Sequence, residues 1–120
     1  MQMQDKTVIN DYIENDPLSE ENLDKTMETV DRFRLSLPNK SIWIYSGYRW
    51  SEIFNDGVYL TKDCDGWKRR EIIKQCTIMV DGRHIDSQRN PSKKWAGSDN
   101  QRVIDIWKSL EQNKIVLHCD

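Results

Sequence analysis

No apolar run in this chain approaches the roughly 20 residues that a membrane-spanning helix needs. Its N-terminal Met1-Gln2-Met3-Gln4-Asp5 also lacks the basic-then-apolar order of a secretion signal. Both absences predict a cytoplasmic protein with no membrane partner. Cysteine is scarce: Cys64, Cys76 and Cys119 are three and far apart. That spacing holds no C-x-x-C grouping for zinc and no C-x₃-C-x₂-C loop for an iron–sulfur cluster. It is also not the even, dense set of a disulfide scaffold. Basic charge is not in excess, since 18 Lys and Arg face 20 Asp and Glu for a net charge of -2. This excludes a nucleic-acid binder that relies on bulk charge. A P-loop, a dinucleotide fingerprint, H-E-x-x-H and a nucleophile elbow are all missing.

What is present is the composition of one soluble folded domain spanning residues 1–120, with 37% hydrophobic residues, 32% charged residues and five Trp. The charge is segregated. Residues 1–31 hold nine acids, among them Asp11, Glu14, Glu20 and Glu21, against Lys6 and Lys25; residues 68–94 hold eight bases against Glu71, Asp81 and Asp86. Two solvated faces explain this, and a partner surface of one sign is the sharper reading. The Lys68-Arg69-Arg70 triplet resembles a phosphate contact, although three bases opening a helix more often form a solvated face.

Val8, Ile9, Tyr12 and Ile13 form an i, i+1, i+4, i+5 stripe that predicts a first helix within residues 1–15, stopped at Asn15-Asp16-Pro17. Ser19 then reads as an N-cap with Glu20 and Glu21 in the first turn, and Leu18 and Leu23 as a hydrophobic staple. A second helix follows, with a stripe through Leu23, Met27, Val30, Phe33 and Leu37. Ile42 to Tyr45 and Thr77 to Val80 read as strands buried on both faces. Helical stretches lie between them, at Trp50 to Phe54 and Arg69 to Gln75. Asn55-Asp56-Gly57 and Asp63-Cys64-Asp65-Gly66 read as turns, and residues 82–100 as a long loop. Arg102 to Ile106 reads as a strand, Trp107 to Gln112 as a short helix, and Ile115 to Cys119 as a last strand. The expected fold class is α/β: a small, mostly parallel sheet of three to four strands flanked by helices.

In such sheets ligands bind beyond the carboxyl ends of strands, which places Tyr45-Ser46-Gly47-Tyr48 and Asp81-Gly82-Arg83-His84 where chemistry would sit. A simple turn explains Asp81-Gly82 better than a catalytic Asp81. His84 and His118 have no nucleophile or metal group beside them, and Cys76 reads as a small buried hydrophobe. Trp43, Trp50 and Trp95 could stack on bases, though core packing is the more usual use.

Four segments appear in one order: Asp16-Pro17-Leu18-Ser19-Glu20-Glu21-Asn22; Ile42 to Tyr48 with Trp50-Ser51-Glu52-Ile53; Val80-Asp81-Gly82-Arg83; and Trp95-Ala96-Gly97-Ser98-Asp99-Asn100-Gln101-Arg102-Val103-Ile104-Asp105. Together they resemble the later part of the anaerobic ribonucleoside-triphosphate reductase activating proteins, a radical S-adenosylmethionine family. The resemblance covers residues 16–120 and implies a fragment of a partial α/β barrel. It also implies a [4Fe-4S] cluster and S-adenosylmethionine, used to place a glycyl radical on the reductase. The family's cluster needs three thiolates on one loop, and that loop would precede everything seen here. Where the family carries a Gly-Gly-Glu/Asp-Pro-like strand end for the methionine moiety, this chain reads Glu14-Asn15-Asp16-Pro17.

With the ligands missing, the sequence leads us to expect no cofactor and no catalytic or metal residues. Residues 5–14 look like the helix before a strand that has been lost, which would leave the edge of Ile42 to Tyr45 open. A protein partner or a second copy would cover that edge, and a nucleoprotein complex is a further candidate partner. The candidate interaction residues are Asp11, Glu14, Glu20, Glu21, Tyr45, Tyr48, Lys68, Arg69, Arg70, Trp95, Asn100, Gln101 and Arg102. The expected function is a non-catalytic derivative acting as a binding, regulatory or inhibitory protein, including one of phage type directed at a nucleic-acid-guided defence complex. The alternative is one half of a split activating enzyme that needs a separate cluster-bearing chain.

Overall fold

A computed structural model describes residues 6–54 and 64–118. Its sheet is built from the β-branched runs. β2 (Ser41–Ser46) and β3 (Ile78–Asp81) pair in parallel, with Trp43 opposite Ile78 and Ser46 opposite Asp81. β4 (Arg102–Asp105) joins β3 antiparallel, Arg102 facing Asp81. The fourth strand is β1 (Lys6–Val8), parallel to β2, and the order is β1-β2-β3-β4. The α/β, mostly parallel architecture is therefore as expected.

Over residues 6–15, the described part of the helix expected within residues 1–15, no such helix is formed. Lys6–Val8 is a strand and Ile9–Asp11 a single 3₁₀ turn. Thr7, Val8 and Ile9 are consecutive β-branched residues, stiff at χ1 and suited to a pleated surface, whereas a short helix carries the full nucleation cost. The same residues supply the strand that was thought lost, so the edge of β2 is paired. Asn10 extends that pairing past the end of β1: its side-chain amide donates to Tyr45 O at 2.9 Å and accepts from Tyr45 N at 2.9 Å.

α1 (Leu23–Ser36), α2 (Trp50–Ile53), α3 (Asp65–Lys74) and α4 (Ile106–Gln112) complete the described elements. α1 buries Leu23, Thr26 and Val30, and the Thr26 hydroxyl donates to Pro17 O at 2.8 Å. Ser19 does not cap α1. It precedes a 3₁₀ turn at Glu20–Asn22, and its hydroxyl donates to Asp16 O. Cys64 to Gly66 is no turn: Cys64 caps α3, its sulfur accepting from Trp67 N, and Asp65 opens the helix. The last strand shrinks to one bridge, Leu117 with Ile104. The Asn55-Asp56-Gly57 turn, Asp63 and Cys119 lie outside the described residues.

Side chains alternate across the sheet. One face, beneath α1 and α3, is aliphatic: Ile9, Ile42, Ile44, Met79 and Ile104 pack with Leu18, Leu23, Val30, Ile72 and Ile73. The other face carries Trp43, Ile78 and Val80 and is closed by Trp95 and Ala96 from the loop after β3. Among the described residues no helix is long and apolar enough to cross a membrane.

Candidate functional site

The carboxyl ends of β2 and β3 open into a cavity of about 320 Å³ lined by Asp16, Tyr45, Ser46, Gly47, Arg83 and Gln101, among others. Its shape comes from a network of short bonds. Asp16 accepts from Leu18 N at 2.9 Å, from the Ser46 hydroxyl at 2.9 Å and from Gly47 N at 2.8 Å. The Ser46 oxygen in turn accepts from Tyr48 N. Gly47 allows this approach: a Cβ there would stand 3.0 Å from Arg83 Cγ and 3.3 Å from an Asp16 oxygen. Asn15 has φ +64°, a left-handed bend that Asn tolerates better than most side chains.

Asp81 is more than a turn residue. Its side chain is 1% exposed and takes both the Arg102 Nε at 3.1 Å and Nη2 at 2.6 Å, while Trp50 N donates to it at 2.8 Å. It therefore ties β3 to β4 and to the start of α2. The hydrogen bond to Asp81 holds the Arg102 guanidinium above its ordinary pKa. Gly82, at φ +94°, turns the chain out of β3. Its carbonyl then accepts from Gln101 Nε2 at 3.1 Å, and the Arg83 carbonyl from Asn100 Nδ2 at 2.7 Å. Gln101 Oε1 also accepts from Gly97 N and Ser98 N. Asn100, Gln101 and Arg102 thus clamp the loop that follows β3.

The remaining sequence candidates fall in three places. Asp11, Glu14, Glu20 and Glu21 are exposed, before α1. Lys68, Arg69 and Arg70 sit on the first turns of α3 and tie it to its neighbours: Lys68 pairs at the surface with Asp24 at 2.7 Å, Arg69 donates to Leu18 O and the Tyr48 hydroxyl, and Arg70 donates to Ile53 O. Trp95 lies on the helix-free face, its ring 5.1 Å from that of Trp43, with the Lys6 ammonium 4.0 Å from both centroids. Only Tyr45 and Gln101 of the thirteen line the strand-end cavity, and Tyr48 and Arg102 stand directly behind it. Burial pushes the Tyr45 phenol above its ordinary pKa. Ser46 and Gly47 stand at the strand end where ligands are expected, and Asp16, which lies outside any strand, is brought to them by the hydrogen bonds it accepts.

An α/β sheet with a polar, glycine-shaped cleft at its strand ends defines a class of ligand-binding fold. The family described as a 4Fe-4S single cluster domain matches residues 14–104, and the chain belongs to it. Its curated relatives are named anaerobic ribonucleoside-triphosphate reductase-activating protein. The relative from Escherichia coli K12 is 28% identical over 88 residues, covering 73% of this chain and 49% of the relative. That of Enterobacteria phage T4 is 30% identical over 98 residues, covering 78% and 53%. The chain thus spans about half the length of the curated relatives it matches. No solved structure matches it.

The family corrects the expectation of no cofactor, because it is an iron–sulfur family. The described thiols do not fit such a cluster. Cys64 Sγ is used as a helix cap, and Cys76 Sγ donates to Ile72 O inside the core, where burial pushes the thiol up to about 12 against a smaller downward pull from Arg34. Among the described residues no three His, Cys, Asp or Glu side chains gather as ligands.

Proposed function

We propose that the chain forms the strand-end half of an activating-protein-type iron–sulfur unit, working in the cytoplasm with cluster ligands supplied from outside the described residues. The observation that carries this reading is convergence: Asp16, Ser46-Gly47, Asp81-Gly82-Arg83 and Ser98 to Arg102 are distant in sequence yet build one cleft. Such a cleft binds and positions, while the described thiols are committed to a cap and a core. β1 stands at the sheet edge, so a cluster-bearing segment has a strand to pair with. On this reading the macromolecular partner is an anaerobic ribonucleoside-triphosphate reductase, the protein for which the relatives are named.

Anaerobic reconstitution with iron and sulfide tests it, using this chain alone, the cluster-bearing half of the Escherichia coli relative alone, and the two mixed. The mixture should co-elute with a stoichiometric visible absorbance band and bind the reductase. A stoichiometric cluster on this chain by itself would overturn the placing of the ligands, and failure to associate with either partner would overturn the half-unit reading. A second reading, a regulatory binding protein acting on the reductase, is favoured by Asp16, whose carboxylate already serves three donors of its own chain. It predicts reductase binding with no glycyl radical signal from the same mixture.

A further inference from the structure

The loop between β3 and β4 is closed at its neck and plugged against the sheet. Ser98, wholly buried, joins the two sides of the neck: its hydroxyl donates to Asn100 Oδ1 at 2.6 Å and accepts from Ile85 N at 3.2 Å. Further along the loop, Asn90 N donates to Gly97 O at 3.1 Å and Asp99 N to Gln88 O at 2.9 Å. The plug is Trp95, which packs on the Trp43, Ile78 and Val80 face with its backbone at φ +72°. A bulky residue stays in that conformation only while its surroundings over-determine it, so a loop that loses those contacts has strain to release.

Gly97 is where this plugged loop meets the strand-end cleft. On one side its N–H donates to Gln101 Oε1 at 2.9 Å. On the other, the His84 ring lies so close that a Cβ on Gly97 would stand 2.8 Å from His84 Nδ1. His84 and Gln101 both line the cleft. The Gln101 amide is committed at both ends, because Oε1 also takes Ser98 N at 3.1 Å and Nε2 donates to Gly82 O at 3.1 Å. A group in the cleft that drew this amide to itself would break the contacts holding Gly97 and Ser98. Trp95 stands two residues before Gly97 in the chain.

We propose that residues 85–98 form a strap that opens as one unit, latched at Gly97 by Gln101 and coupled to the cleft through Gln101 and His84. With the latch closed, Trp95 covers the helix-free face of the sheet. Its release uncovers that face and removes one of the two rings beside the Lys6 ammonium of the edge strand β1. The device goes beyond the half-unit reading and holds whatever the cleft binds.

Amide exchange by NMR on the full chain, at a series of urea concentrations below the unfolding transition, tests it. Asn90 and Asp99 amides should exchange together, through an opening nearly independent of urea, while β2 and β3 amides exchange only by global unfolding. Gln101→Ala should speed Asn90 and Asp99 at least about tenfold, although neither bonds to Gln101, and should change the β2 and β3 rates less. In protein carrying fluorinated tryptophan, the same variant should shift the Trp95 fluorine signal, assigned by its loss in Trp95→Phe. His84→Ala, a change made from the cleft side, should speed the same two amides. Ile44→Val, a trimmed core side chain, should instead speed β2 and β3 without favouring the strap. Circular dichroism checks that each variant is folded, and the urea series on the unaltered chain needs no variant. Asn90 and Asp99 exchanging only with β2 and β3, or unprotected from the start, would overturn the strap. A Trp95 signal unmoved by Gln101→Ala would overturn the latch, and strap amides indifferent to His84→Ala would overturn its coupling to the cleft.

Discussion

The two faces of the sheet are held by different physics. Beneath α1 and α3 the contact is aliphatic and dry: Ile9, Ile42, Ile44, Ile72, Ile73 and Met79 are wholly buried. On the opposite face the buried hydrophobic residues, among the described ones, are Trp43, Ile78 and Val80, and the cover is a loop rather than a helix. Trp95 closes that loop in a left-handed conformation, φ +72°, which is costly for a bulky residue and is offset by its contacts with Trp43 and Lys6. The helix-covered face therefore holds most of the buried aliphatic surface, whereas the cleft sits at the strand ends, built by Asp16, Ser46 and Gly47 together with Gln101 from the loop that covers the other face.

Truncation should break this contrast most sharply on the aliphatic side. Ile44→Ala removes a fully buried side chain between two layers and should cost about 2–5 kcal/mol in urea denaturation. A loss below 1 kcal/mol, roughly the scale of a surface change, would mean that the face is not packed as described. Next comes Asp81→Ala, which strands Arg102 and frees Trp50 N. Removing one partner of a buried pair costs about 3–5 kcal/mol; because Arg102 is partly exposed, about 2–3 kcal/mol is expected here. The same variant should loosen the loop after β3, read as faster amide exchange at Arg83 to Gln101. Lys6→Met should cost least, about 0.5–1 kcal/mol for a partly exposed cation–π contact. Its tryptophan fluorescence should change even so.

How much of this could be read from sequence follows the same division. β2, β3 and α1 were legible because long apolar runs and a helical stripe speak for themselves; Ile42 to Tyr45 and Leu23 to Val30 fell where expected. β1 was not, because three residues cannot display a period of two, and Ile9 and Ile13 are both buried just as a helical stripe would have them. The strand becomes visible only through its register with Ser41 to Trp43. Side-chain mimicry was equally hidden: nothing about Asn10 in sequence announces that its amide continues a ladder. At the site, the strand-end rule pointed to Ser46, Gly47 and Gly82, but charge and aromatic character pointed to Lys68, Arg69 and Trp95. The structure uses those three to tie its own elements together.

Alkaline pH offers the finest test of the contrast, because each face holds one acid that burial keeps neutral. Cys76 lies in the aliphatic core with its thiol pushed up to about 12, and Tyr45 lies half-buried on the other face with its phenol raised. For both, the unfolded chain ionises first. Below the ordinary thiol value the folded and unfolded states bind the same protons at these sites, so neither contributes a pH slope. Above it the unfolded state releases the Cys76 proton while the folded state retains it, and stability falls as pH rises toward about 12. Tyr45 adds its slope only once its own ordinary value is passed. Denaturant midpoints taken from pH 8 upward should therefore decline in two stages. Cys76→Ala should remove the earlier stage and Tyr45→Phe the later one. If Cys76→Ala leaves the decline intact, or if a thiol reagent labels Cys76 in the folded protein near pH 8 as readily as Cys64, the aliphatic face is open to water. The difference between the two faces would then be one of side-chain type rather than of solvent exclusion.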